Sequence, residues 1–434
     1  MAALGPLALP VARFEPFRAL RYAVDDLAAV LAPPYDVVDQ AERARLQDRH
    51  PHNAMWIEAG VHPDGADPYG AARDRLAAWV EEGVVVADAE PTFTLYRMGY
   101  RGRRGEPRQV TGVLGALGLD PGGRHVLPHE RTLRAPAADR LALLRACQAN
   151  LSPIWGLSPT PGLADVLEPS GSPLARATDE HGVHHRVWRV DAPATVAAIS
   201  EVVGRGPVVL ADGHHRYQTA LAYRAEVRAA NGDAPGPHDL VLAFLVELDP
   251  DQLDVRPIHR VVSGLDPATP LPEALEASLE LELFTGDDAA LVAAMEAGGA
   301  LGVARADRRY LARSRLGPAS AAPPGTDGLD TDTVEPGLDT DTVEPGLDTD
   351  TVARVLEDLG PHTVCFEPDL GRVRAALDGD PGAVAFLVRP VTVDTLRAVA
   401  SAGLRLPQKT TYFTPKPATG IAFRSLDGPA RASP

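Results

Sequence analysis

Hydrophobic and polar positions along this chain of 434 residues switch between a helical and a strand period, and each switch marks an element. The polar stretch Asp39 to Arg49 predicts a helix after the stiff turn Pro33, Pro34, Tyr35, Asp36. A second helix is expected from about Pro68 to Glu82, where Tyr69, Leu76 and Trp79 recur on one face. PTFTLYRMGY and RQVTGVLGAL read as two strands joined by a turn rich in glycine and arginine, an antiparallel hairpin. After HVLPHERTLR, the positions Leu141, Leu144 and Gln148 mark a helix over Ala137 to Ala149, favoured by Asp139 in its first turn.

The clearest strand-turn-helix signal comes later. PVVLA is a short buried strand, ADGHHR a tight turn, and RYQTALAYRAEVRAANG a helix ending at Gly232, with Asp212 placed to cap it. LVLAFLVEL and RPIHRVV follow as apolar strands. Beyond them, helix candidates (Pro272 to Leu281, Ala289 to Ala297) alternate with strands (Ala300 to Ala304, Ala383 to Arg389). The expected fold class is α/β to α+β with mixed sheets. Its stretches would be an N-terminal region 1–150, a core 151–265 holding the strand-turn-helix, and a C-terminal α/β region 266–434 with a lysine motif at 406–420.

Residues Gly328 to Val352 contain GLDTDTVEP twice and then GLDTDTV. Copies this short, each with one Leu and one Val, cannot bury a core, so the period is a local expansion and not a solenoid. The last copy, continuing into TVARVLEDLG, is expected to belong to a helix, and the earlier ones to an acidic, solvated loop at 319–346. The DxD pattern lacks the glycine and distal glutamate of a calcium loop.

Composition narrows the function classes. The apolar runs are far shorter than the ~20 residues that span a bilayer, and the N-terminal stretch has no charged start before its apolar run, so a cytoplasmic protein without a membrane partner is expected. Cys147 and Cys365 are too few for a disulfide framework or a CxxC zinc site. A net charge of −17 repels polyanions, and no basic run with interleaved aromatics occurs, which argues against nucleic acid.

Lys409 and Lys416 are the only lysines, seven apart in LPQKTTYFTPKPATG, while every other cationic side chain is arginine. Where arginine otherwise serves, a retained ammonium marks a place that needs a compact point charge, such as a site handling a moving phosphoryl group. Thr410 lies in the same motif. In the turn Asp212, Gly213, His214, His215, Arg216, the glycine lets backbone approach a ligand, and N–H groups of the following helix point outward toward an anion. Arg216 can contact phosphate bidentately, and a histidine can donate a hydrogen bond or shuttle a proton.

His129, Glu130 and Arg131 place a base, an acid and a cation ahead of a helix. Glu130 is a candidate general base or Mg²⁺ ligand, or else half of a solvated charge pair with Arg131. Asp36 is either a carboxylate fixed by the Pro-Pro turn or a helix cap. His259 and Arg260 add a further cationic spot after a strand. No P-loop, GxGxxG, HExxH or GxSxG stands in a suitable context.

APPYDVV, LPHERT with DR ten residues on, LADGHHRYQTAL, RPIHRVV and LPQKTTYFTPKPATG, in this order and spanning Ala32 to Gly420, resemble the domain-of-unknown-function family 1015. The DGHHR turn is similar to that of the ParB and sulfiredoxin superfamily, which includes an ADP-dependent kinase of free serine. The resemblance implies a ParB/sulfiredoxin-like phosphate-binding core and a phosphoryl-transfer or phosphate-ester site, with serine and O-phosphoserine as substrates. A nucleotide or pyrophosphate would be the co-substrate, and Mg²⁺ a candidate cofactor. In this reading Glu130, Asp36, His214 and His215 do the chemistry, and Asp212, Gly213, Arg216, His129, Arg131, Lys409, Thr410, Lys416, His259 and Arg260 bind the phosphate ligand. The alternative is a nucleotide-binding regulator with little or no turnover.

Overall fold

The long apolar strands of the middle of the chain have no polar face, so they must be covered on both sides. They form the centre of a nine-stranded sheet in the computed structural model, which describes residues 12–58, 67–103, 105–128, 137–266, 270–316, 347–359, 361–402 and 404–427. Its strands are β1 (Phe14–Glu15), β2 (Phe93–Arg101), β3 (Pro107–Gly118), β4 (Val126–Pro128), β5 (Ile154–Ser158), β6 (Ala175–Thr178), β7 (His184–Val190), β8 (Val208–Asp212) and β9 (Leu240–Glu247). They lie in the order β4-β8-β5-β9-β3-β2-β7-β6, with β1 on β3. β8 runs parallel to β4 and β9 parallel to β5, whereas β2, β3, β7 and β6 form an antiparallel series, so the sheet is mixed.

Helices α1 (Gln40–Arg49), α2 (Pro68–Glu81), α3 (Ala137–Cys147), α4 (Pro193–Gly204) and α5 (His214–Ala230) belong to the same unit. Asp39 and Asp67 accept the N–H groups of Glu42 and Tyr69, the capping that favours a helix start at those positions. One face of the sheet buries Phe14, Phe93, Leu95, Leu117 and Leu245 with Ile199 and Val203 of α4 and Tyr217 and Ala220 of α5. Phe14 and Phe93 stack at 5.0 Å, and the space they fill is left open by Gly115, where a Cβ would meet Phe14 Cζ at 2.4 Å.

This first unit comprises the described residues within Met1–Pro128, Thr132–Asp254 and Pro415–Pro434. It therefore takes in the 1–150 stretch, nearly all of 151–265, and the last residues of the chain. Thr419 pairs with Ala32, Phe423 with Leu20, and Arg424 with Asn150, which stitches that last segment to the N-terminal region.

The second unit, within Val255–Thr414, holds a six-stranded antiparallel sheet of β10 (His259–Ser263), β11 (Leu279–Leu283), β12 (Leu301–Ala304), β13 (Arg309–Ser314), β14 (Thr363–Glu367) and β15 (Val384–Leu387). The order is β11-β13-β12-β15-β10-β14. Alternate residues feed two cores: Val262, Val303 and Phe386 pack with helix α7 (Asp348–Asp358), and Val261, Ala304 and Ala385 pack with α6 (Asp288–Gly298) and α8 (Leu370–Gly379). The last repeat copy does open α7, as its sequence predicts. The 319–346 loop lies outside the described residues.

Two local expectations change. Helix α3 stops at Cys147, because Gln148 takes φ 47° and Ala149–Asn150 pairs with Arg424–Ser425. The helix expected over Pro272 to Leu281 is cut to Leu271–Leu275, since Leu279–Leu283 is claimed by pairing with β13. In both places a distant strand overrides local propensity.

Candidate functional site

The DGHHR turn is shaped by its strand. The register of β8 against β5 shifts between Leu210 and Asp212, an irregularity that re-aims the last side chain of the strand. Gly213 then takes φ 85°, a left-handed conformation that a side chain resists, and a Cβ there would lie 3.2 Å from the Ile154 Cα. Helix α5 starts at His214, and Tyr217 N donates to Gly213 O at 2.9 Å. The cap is therefore Gly213 and not Asp212 as expected. The Asp212 carboxylate is turned to ion pairs instead: Oδ2 accepts from Arg216 Nη2 at 2.7 Å and Oδ1 from Lys416 Nζ at 2.7 Å.

Lys416 also donates to Asp36 Oδ2 at 3.0 Å, so one ammonium bridges two carboxylates that are far apart in sequence. Both ends of this bridge are held by backbone. Pro34, at φ −58° and ψ 145°, leads into a single turn of 3-10 helix at Tyr35–Val37 that fixes Asp36. The Lys416 segment is tied to the same turn by the reciprocal bonds of Thr419 and Ala32, and Ala418 N donates to Tyr96 Oη at 3.3 Å. Tyr96 Oη in turn meets His185 Nδ1 at 2.7 Å, and Asp179 lies at 3.1 Å from the other ring nitrogen.

Burial works against the charged forms of Lys416 and Arg216, but Asp212 and Asp36 more than offset it, and both cations titrate above their ordinary range. Of the four groups Asp36 is the most open, with 35% of its side chain exposed against 18% for Asp212, 10% for Arg216 and 9% for Lys416.

Arg216 is less a surface clamp than its position in the motif suggests. Its Nη1 donates to the Pro153 carbonyl, and its guanidinium forms one wall of a small cleft of about 50 Å³ whose polar lining includes Glu58, Arg140, Ser152 and Thr219. Glu58 is buried at 2% exposure; its Oε1 accepts from Ser152 Oγ at 2.7 Å, while Oε2, like Thr219 Oγ1, meets no partner among the described residues. Arg140 donates to the Glu58 carbonyl at 2.7 Å and lies 4.1 Å over the Tyr35 ring. Sequence reasoning missed Glu58 and Ser152, and it met Arg140 only as part of the DR motif, without a role at the site. The one available signal was a carboxylate closing the apolar run AMWIE, which is where a buried acid would sit.

The remaining predicted residues fall elsewhere. His214 and His215 are half-buried on the first turn of α5. His129, Glu130 and Arg131 lie outside the described residues. Lys409, Thr410, His259 and Arg260 belong to the second unit. There Lys409 is exposed with φ 56°, and Thr410 is buried and donates to the Pro407 carbonyl at 2.7 Å. His259 Nδ1 accepts from Val388 N at 3.2 Å inside the sheet, and Arg260 donates to the Ile258 carbonyl with its guanidinium 5.4 Å from the Phe366 ring centroid.

No curated protein matches the chain. Among solved structures it is similar to a free serine kinase in complex with AMP, at 14% identity over 70% of this chain and 88% of that one, with a TM-score of 0.37. It is also similar to a conserved hypothetical protein from Pyrococcus furiosus (13%, 70% and 90%, TM-score 0.34) and to SbnI with C-terminal truncation from Staphylococcus aureus (12%, 69% and 82%, TM-score 0.35). The profile of the family described as "Protein of unknown function (DUF1015)" matches residues 14–332, and the chain, whose PPYD and DGHHR motifs both fall in that span, belongs to this family.

Proposed function

We propose that this protein transfers a phosphoryl group to or from a small hydroxy compound, serine or O-phosphoserine being the first candidates, with a nucleotide, pyrophosphate or water as the other party. The observation that carries the reading is the Lys416 bridge: a buried ammonium held against Asp212 and Asp36 beside Arg216, at the start of a 17-residue helix. Phosphoryl transfer asks for positioning and charge neutralisation more than for covalent chemistry, and these groups offer both. Two cations and two carboxylates cancel formally, so the positive end of the α5 helix dipole supplies the further attraction for a phosphate.

In the proposed reaction the substrate hydroxyl oxygen bonds to phosphorus, the bond from phosphorus to the donor oxygen breaks, and the hydroxyl proton passes to Asp36, the most open carboxylate. Lys416 and Arg216 balance the charge on the equatorial oxygens. The cleft behind Arg216 would receive the rest of the hydroxy compound, with Glu58 Oε2 as acceptor for an amino group. Asp36 and Asp212 are also the oxygen donors that Mg²⁺ would use.

The test is ³¹P NMR of the full chain with serine plus ADP, ATP or pyrophosphate, and of O-phosphoserine alone, with and without Mg²⁺. Turnover with one of these, reduced ~10-fold or more in Lys416→Ala, is expected, since one charge-assisted contact accounts for at least ~1.4 kcal/mol. Thermal stabilisation by nucleotide without turnover would move the reading to a nucleotide-binding regulator, and neither effect would overturn it.

A further inference from the structure

The first unit also carries a row of arginines. Register sets Arg176 of β6 opposite Arg186 of β7, Arg186 opposite Arg97 of β2, and Arg97 opposite Thr111 of β3. Residues directly opposite one another share a face, so three adjacent strands present three guanidinium groups side by side, an arrangement that like charges disfavour. The next row on that face runs Thr178, His184, Gly99, Gln109, and Gly99 contributes no side chain to it. The result is a hollow of about 260 Å³ lined by Arg97, Gly99, Arg108, Gln109, His184 and Arg186.

Elsewhere on this acidic chain exposed arginines such as Arg45, Arg145 and Arg205 are matched by carboxylates. Among the described residues no carboxylate lies within ion-pair distance of Arg97, Arg176 or Arg186. Arg97 is positioned from within, its Nε donating to Thr111 Oγ1 at 2.8 Å and its guanidinium 5.8 Å from the Trp188 ring centroid. Arg108 is held by the Pro250 and Leu253 carbonyls at 2.9 and 3.0 Å. Tyr96 and His185 alternate with these residues along β2 and β7, so they and the Ala418 contact face the opposite side of the sheet.

We propose that this hollow is a second ligand site, for a small oxyanion of the phosphate class carrying two or more charges, and that it is distinct from the Lys416 bridge. An anion there would relieve the repulsion along the arginine row, and guanidinium groups are the donors best shaped for paired contacts with phosphate oxygens. The proposal does not depend on the phosphoryl-transfer reading.

Trp188 reports on the site, since a ligand drawing on Arg97 changes what lies over its indole. The experiment is a fluorescence titration of the full chain with inorganic pyrophosphate and, in a parallel arm, with glycerol 2-phosphate, at low ionic strength. A saturable change that is absent in Trp188→Phe is expected, and it should weaken at least ~10-fold in the double variant Arg176→Gln/Arg186→Gln. That variant should melt no lower than wild type without anion, because like charges have been removed and both side chains are exposed. Tighter binding of pyrophosphate assigns the polyphosphate form, and equal binding assigns a terminal phosphate. An unchanged curve in the double variant, or no Trp188-dependent change in wild type, would overturn the proposal.

Discussion

Lys416 holds two carboxylates together, and removing it takes from Asp36 the ammonium it meets and leaves Asp212 with Arg216 alone. Lys416→Met is therefore expected to cost about 3 kcal/mol in urea unfolding, the lower end of what breaking a buried pair costs, because Asp36 is partly open. Lys416→Arg should restore little, since a planar fork cannot sit as a point between two acids. The pH dependence has a definite sign. The folded-state value of Lys416 is raised, so its contribution is complete below the ordinary lysine value of about 10.4 and is lost as pH rises through the folded one. Wild type should lose stability above that pH more steeply than Lys416→Met, and parallel alkaline limbs would contradict it. Gly213→Val should cost ~2 kcal/mol or more, measured the same way, as a β-branched residue meets both an unfavourable φ and the Ile154 backbone.

Elements whose ends are set by local chemistry were legible from sequence. Asp39 and Asp67 start their helices, the hairpin of Phe93–Arg101 and Pro107–Gly118 follows from alternation, and the strand before DGHHR from its apolar run. Elements set by distant partners were not, as Gln148 and Leu279–Leu283 show. The candidate site divides in the same way. Each of PPYD, DGHHR and Lys416 stood out as a motif, but that one ammonium joins Asp36 to Asp212 is a matter of chain path, and for Glu58 the sequence offers no more than its place at the end of an apolar run. The end of α3 offers a test at this scale: burial pushes the Cys147 thiol up to about 12, while Cys365 is exposed. With iodoacetamide at pH 8, peptide mass mapping should find Cys147 modified at least ~10-fold more slowly than Cys365, because only the thiolate reacts. Equal rates would mean that this helix end opens readily.

At the scale of the whole molecule, each of the two units has its own cores, and the two earlier repeat copies, with one Leu and one Val each, are too poor in apolar residues to add another. Deleting Gly328 to Pro345 should shift the melting temperature by no more than about 2 °C, since loop length enters stability only logarithmically. A cooperative loss of folding would show that the copies are structural.

The placement of Lys416 at the far end of the chain bears on synthesis. Strands β2 to β9 leave the ribosome long before Pro415, and the whole of Val255–Thr414 must be translated in between, roughly ten to thirty seconds at ordinary elongation rates. During that interval Asp36 and Asp212 are without their shared cation, and Leu20, Ala32 and Asn150 without the backbone partners that Phe423, Thr419 and Arg424 provide. The contacts that join Asp36 to Asp212 thus require the segment from Pro415 onward, and the candidate site can be completed only after that segment has been made.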